Sequence, residues 1–148
     1  MSLKTRLQED MKTAMRARDT ARLGVVRMAL AAIQQREVDE RAALSEADLL
    51  SLLEKMIKQR RESAEQYQAG GRPELADREL AEADQLSAYL PKPLDEHELA
   101  ALIDAAISET GASGMRDMGR VMGLLKSRAA GRADMSALSA QVKARLSG

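Results

Sequence analysis

Two prolines within three residues, Pro91-Lys92-Pro93, constrain this 148-residue chain more than any other feature of its sequence. Each proline fixes φ near −65°, lacks an amide N–H and pushes the residue before it out of helical geometry. Neither a helix nor a central strand can run through them, so the segment reads as an extended connector between two separately built parts. The expected domains are residues 1–91 and 94–148. A chain of this length can bury roughly 68–70% of its unfolded surface, so a real core is available to it.

What fills that core follows from a shortage. Tyr67 and Tyr89 are the only aromatic residues, with no Phe and no Trp, although 45% of the chain is apolar. The core must be Leu, Ala, Met, Val and Ile, a supply that favours helices over sheets. The spacing agrees. Leu3, Leu7, Met11 and Met15 form one stripe behind a Ser2 cap and predict a first helix ending near Ala17. Asp19 caps a second, with Leu23, Val26, Leu30 and Ile33, before polarity takes over at Gln34 to Arg41. Ser45 and Asp48 approximate a capping box for a third helix, which runs through Leu49, Leu52, Leu53, Met56 and Ile57 to Ala69 and stops at Gly70-Gly71. Pro73 opens a fourth that carries Leu75, Leu80, Leu86 and Leu90 and reaches about Tyr89. Beyond the connector, Asp95 and Glu98 start a helix that ends at Gly111, Ser113 caps one over Gly114 to about Arg128, and Asp134 opens the last. No alternating strand pattern and no repeat occurs. The fold class is all-α, with about four helices, a Pro linker and three more.

Composition also narrows the chemistry. Zero Cys removes disulfides, thiolate nucleophiles and most zinc sites. The single His97 sits between Glu96 and Glu98 with no partner in the pattern. The acids Glu62, Glu65, Asp77, Glu79, Glu82 and Asp84 fall at mixed spacings that do not converge, as a solvated face does. No Gly-rich phosphate loop follows a strand. The expectation is no catalytic residue, no metal and no cofactor. No apolar run of 18 residues occurs and the first residues lack a signal-peptide core, so the expectation is a soluble, cytoplasmic protein without a membrane partner.

Lys plus Arg equals Asp plus Glu at 23 each, so no global field draws the chain to nucleic acid and any affinity must come from local segregation. Such segregation exists. Residues 95–109 carry five acids and no Lys or Arg, whereas residues 115–132 carry Arg116, Arg120, Lys126, Arg128 and Arg132 against Asp117 alone. On a helical wheel Met115, Met118, Met122 and Leu125 share one stripe and Arg116 and Arg120 the opposite face, which makes the first core and the second exposed. The guanidinium fork suits phosphate, while pairing with the acidic neighbour helix is the plainer alternative. Gly119 and Gly123 each cost about 1 kcal/mol against Ala inside a helix and so should permit either close helix packing or close approach of a phosphate backbone. The amides of Gly111-Ala112-Ser113-Gly114 offer an anion site at a helix N-terminus. In the first domain eight basic residues in 1–36 and seven acids in 62–84 suggest a basic helix pair beside an acidic one, and Lys55, Lys58, Arg60 and Arg61 can face that acidic helix or a ligand.

These residues also carry a resemblance. Tyr89-Leu90-Pro91-Lys92, Thr110-Gly111-Ala112-Ser113, Asp117-Met118-Gly119, Val121-Met122-Gly123 and Gly131-Arg132-Ala133-Asp134 resemble the YqeY family, as do Lys58 to Ala64 and Gly70-Gly71-Arg72. The resemblance implies an all-helical protein similar to the tail of the B subunit of the tRNA-dependent amidotransferase. That tail contacts tRNA, while ammonia production and phosphoryl activation belong to other domains. It implies a non-catalytic tRNA-binding or accessory module that uses Arg116, Arg120, Lys126, Arg128 and Arg132 with Gly119 and Gly123. The expected partners are tRNA and proteins of tRNA metabolism, not DNA. The alternative is a protein-interaction adaptor; a carbon–nitrogen ligase using glutamine is the reading with least support, since the chain has no amidase Ser–Lys apparatus and no ATP cradle.

Overall fold

The computed structural model describes residues 2–147, and every element in them is helical. The order is α1 (Leu3–Ala17), α2 (Thr20–Glu40), α3 (Glu46–Ala69), α4 (Pro73–Ser87), α5 (Glu96–Thr110), a short 3-10 turn (Met115–Asp117), α6 (Met118–Arg128) and α7 (Met135–Ser147). The chain divides into two compact units, Met1–Leu90 and Pro91–Gly148.

The helix starts obey capping chemistry. Side chains of Ser2, Asp19, Ser45 and Asp95 accept the amides of Thr5, Arg22, Asp48 and Glu98, and Asp134 accepts the amide of Ser136. Stops are left-handed residues: Arg18 and Arg41, with φ of 56° and 53°, and Gly111 at φ 66°. Helix α2 continues through the polar stretch that begins at Gln34 and ends at Glu40. Gln, Arg and Glu are good helix formers, and Gln35 with Asp39 and Arg36 with Glu40 make contacts four residues apart.

In the first unit Leu7, Val26, Ile33, Leu53 and Leu86 are fully enclosed, and Tyr89 packs at their edge. The α1 stripe departs from the expectation at its end. Leu3 and Leu7 are buried, but Met15 is 49% exposed and Ala14 faces inward instead. A four-residue step overshoots the 3.6-residue turn by about 40°, so three steps carry Met15 off the buried face. Helix α4 likewise leaves Leu80 44% exposed and turns Ala76 and Ala83 to the core. Arg60 faces the acidic helix: its guanidinium pairs with Glu79 at 3.2 Å and with Glu82. Two of the basic residues of α1 and α2 find acids within their own pair of helices. Lys4 pairs with Glu37 at 2.7 Å and Arg22 with Asp10 at 3.6 Å, both acids of the same two helices.

The second unit is a three-helix core of Ile103, Ala106, Val121, Leu125, Ala129, Leu138 and Val142. Its first residues are the Pro connector, which is fastened by backbone. The Leu94 amide donates to the Arg132 carbonyl at 2.9 Å, and Arg132 Nε donates to the Lys92 carbonyl at 2.9 Å.

Tyr89 gives a measurable readout of the first core. Burial, together with a hydrogen bond from its hydroxyl to the Asp10 carboxylate and the charge of that carboxylate, raises its pKa to about 12. The neutral form is the one the fold favours, so this stabilisation is complete below the unfolded value near 10 and is lost as pH rises through about 12. In a Tyr67→Phe background, absorbance at 295 nm should report a single tyrosine with a midpoint near pH 12. Adding Asp10→Asn should move that midpoint part of the way back; an unmoved midpoint would refute the role given to Asp10.

Candidate nucleic-acid interface

Helix α6 is preceded by Gly111-Ala112-Ser113-Gly114 and the 3-10 turn, and one residue organises this entry. Asp117 is 8% exposed, the one buried charged residue among those described. Its Oδ2 accepts the Ser113 amide at 2.9 Å, and its Oδ1 meets Arg120 Nη2. The backbone bond from Ser113, then the bond from Arg120, hold its carboxyl below the ordinary 3.8. Two expectations are corrected here. Ser113 does not cap a helix running from Gly114; α6 starts at Met118, after the 3-10 turn. The loop amides do not stand open for an external anion either, because Asp117 fills the position with the chain's own carboxylate, where the helix dipole also favours it. The sequence signal was available: an acid at the first turn of a helix, three residues before an arginine.

The apolar side of α6 is Val121 and Leu125, fully buried, with Met118 and Met122 half-buried. Met115 belongs to the 3-10 turn, not the helix, and is 41% exposed, so it leaves the core stripe. Gly119, Arg120, Gly123, Lys126 and Arg128 of α6 are exposed, as is Arg116 of the 3-10 turn. A Cβ built on Gly119 or Gly123 meets nothing within 4 Å. Close helix packing therefore does not explain either glycine among the described residues. Each breaks the local preference of an 11-residue helix and leaves a low, open strip, with Arg120 one residue from Gly119 on the wheel's next flank.

The basic residues separate into two kinds. Arg128 forms a two-pronged pair with Glu109 of α5, whose carboxyl it holds below the usual range. Arg132 is half-buried, donates to the Lys92 carbonyl and reaches Glu98 at 3.4 Å. With Arg145 on Asp104, these contacts neutralise much of the acidic α5. Arg120 keeps 62% of its side chain exposed while touching Asp117, and Arg116 makes no ion pair among the described residues. The structure thus leaves Gly119, Arg120, Gly123 and Lys126 exposed on α6 and Arg116 exposed on the 3-10 turn before it, and commits Arg128 and Arg132 to pairs within the unit. Among the described residues no group of three His, Cys, Asp or Glu is placed to hold a metal ion.

A family model described as Yqey-like protein matches residues 4–146. Among curated proteins, the chain is 32% identical over 130 residues to Altered inheritance of mitochondria protein 41, mitochondrial, of Pyrenophora tritici-repentis, covering 86% of this chain and 71% of that protein. The protein of the same name in Eremothecium gossypii is 36% identical over 107 residues, covering 70% of this chain and 58% of that one. In Lachancea thermotolerans it is 35% identical over 85 residues, covering 57% and 46%. The chain spans from about half to seven tenths of the length of these relatives. All three are named as mitochondrial proteins, which overturns the expectation of a cytoplasmic one. That expectation rested on a missing signal-peptide core, which speaks to secretion, whereas mitochondrial leaders are amphipathic and Arg-rich. No helix of the described residues is long and apolar enough to cross a membrane.

Two outcomes test the geometry. Gly119→Ala and Gly123→Ala should each stabilise the fold by about 0.5–1 kcal/mol in a urea melt, because Ala fits the open space and favours the helix; a loss of stability would show a hidden close contact. The Asp117 contribution, held by a lowered pKa, is present above 3.8 and lost as pH falls through its folded value. The difference in urea midpoint between the parent and Asp117→Asn should therefore shrink as pH drops below 3.8.

Proposed function

We propose, for a chain that belongs to the YqeY family, a role as a non-catalytic tRNA-binding accessory module whose contact surface is the open side of α6. The observation that carries this reading is the pair Gly119 and Gly123, which sit in a helix with open space where a side chain would stand, beside the exposed Arg120 and one turn after the exposed Arg116. A helix surface stripped of side chains lets a sugar–phosphate backbone come close while the flanking guanidinium groups reach its oxygens. The resemblance of residues 110–134 to the tail of the amidotransferase B subunit supports tRNA as the polyanion. Contacts of this kind read backbone and shape with little sequence preference. Catalysis forms no part of the proposal: His97 is exposed, the chain has no Cys, and α6 presents cations and backbone in place of a nucleophile with a base.

With Arg128 and Arg132 engaged on Glu109 and Glu98, the contact set rests on Arg116 and Arg120. Neutralising two phosphates gives a log–log salt slope of roughly −1.5 to −2, shallower than the full cluster of five cations would give.

Fluorescence anisotropy with unfractionated tRNA between 50 and 200 mM salt tests the reading, a range over which phosphate contacts weaken by large factors. Arg116→Ala with Arg120→Ala should weaken binding and flatten the slope by about 1 to 2. Gly119→Ala with Gly123→Ala should stabilise the fold yet weaken binding. Gly24→Ala, another glycine with open space around it, should leave binding unchanged. If the α6 variants bind like the parent while Arg16→Ala with Arg27→Ala lowers affinity, the surface is wrongly placed. If none binds tRNA, a protein-interaction adaptor takes its place.

A further inference from the structure

A second polar constellation lies in the first unit and plays no part in the RNA reading. A cavity of about 360 Å³ opens where α1, α2 and the residues around the end of α4 meet. Its polar wall is Arg6 and Asp10, one turn apart on α1, then Asp19 and Arg22 at the start of α2, then Gln85 and Tyr89. The buried Val25 and Val26 supply its apolar side. The volume falls at the small end of the range of small-molecule sites, about 300–1,000 Å³.

Most of the polar groups are already committed, which fixes their positions. The Tyr89 hydroxyl donates to Asp10, Arg22 Nη2 stands 3.6 Å from the same carboxylate, and Asp19 accepts the Arg22 amide at 3.1 Å. Two groups are uncommitted. The Arg6 guanidinium lies 5.2 Å from the centroid of the Tyr89 ring and makes no ion pair among the described residues. Gln85 Oε1 is buried with no hydrogen-bond donor. An acceptor withheld from water without a partner is costly, and in a folded protein it asks for an explanation. Gln85 itself lines the cavity, and the terminal torsion that sets the direction of its amide is soft.

The charges decide what fits. Two guanidinium groups and two carboxylates cancel. A phosphate would meet Asp10 and Asp19, and a lone cation would meet Arg6 and Arg22. A molecule carrying both signs a short distance apart satisfies the whole wall. We propose that this cavity binds a small zwitterion of the α-amino acid class, with its carboxylate on Arg6 and Arg22 and its ammonium group on the Gln85 carbonyl and the Asp19 carboxylate. The planar forks of the arginines match a carboxylate through two parallel bonds, and Arg6 stands over the Tyr89 ring at the cavity wall.

Isothermal titration of the full chain with each of the twenty free amino acids tests the assignment, with acetate, methylammonium and inorganic phosphate as the single-sign probes. At least one amino acid should bind with a Kd below about 1 mM, a level that separates a formed site from weak surface contact. Acetate and methylammonium should bind at least about tenfold more weakly. Arg6→Gln should lose at least about tenfold in affinity, and so should Gln85→Leu. The Gln85→Leu protein should melt no lower than the parent, since the substitution removes an orphaned acceptor, so its loss of binding would not be a loss of fold. Arg116→Ala with Arg120→Ala should leave amino acid binding unchanged, which separates this site from the RNA surface. The proposal is overturned if no amino acid binds at that level, if either Arg6→Gln or Gln85→Leu binds as tightly as the parent, or if phosphate binds more tightly than every amino acid.

Discussion

Everything in this protein rests on building cores from aliphatic side chains with a single buried aromatic, Tyr89. A buried Leu, Val or Ile contributes about 1.5–3 kcal/mol, and without Phe or Trp no one residue anchors a large share of the interior. The answer is close helix packing through alanine. Ala76 and Ala83 face the first core from α4, and Ala106 and Ala129 face the second from α5 and the end of α6. Small units of this kind bury a modest fraction of their surface. The helix ends therefore matter, and they are closed with care: side-chain caps at α1, α2, α3 and α5, and left-handed stops at Arg18, Arg41 and Gly111.

The helices were legible in the sequence because capping residues and proline act locally. Ser45, Asp95 and Pro73 each mark a helix start with no reference to the rest of the chain. What was illegible depends on three dimensions. Leu80 is apolar and falls at a helical interval, yet only the tertiary arrangement decides that Ala76 and Ala83 occupy the inner side of α4. The roles of the arginines divide in the same way. Sequence can count five cations between residues 116 and 132, but it cannot show that Glu109 and Glu98 stand within reach of two of them.

Arg132 is the clearest case of a residue whose charge suggested one role and whose geometry gives it another. Pro91 and Pro93 have no amide hydrogens, so the connector can accept hydrogen bonds far better than it can donate them. Arg132 supplies a donor to the Lys92 carbonyl, and its own carbonyl receives the first amide after the prolines, that of Leu94. The arginine fork serves both acceptors through different nitrogens, Nε on the backbone carbonyl and Nη2 toward Glu98.

Asp117 has a consequence for any anion that approaches α6. Its carboxylate is tethered three residues from Arg120 and four from the Ser113 amide, so it competes as an intramolecular ligand at high effective concentration. A single sulfate or phosphate ion, arriving from dilute solution with one point of attachment, cannot match that advantage. A polymer of phosphates can, because its first contact makes each later one intramolecular as well. The Asp117–Arg120 pair thus sets a threshold: a small anion in dilute solution competes poorly for this arginine, and a partner carrying several charges competes better.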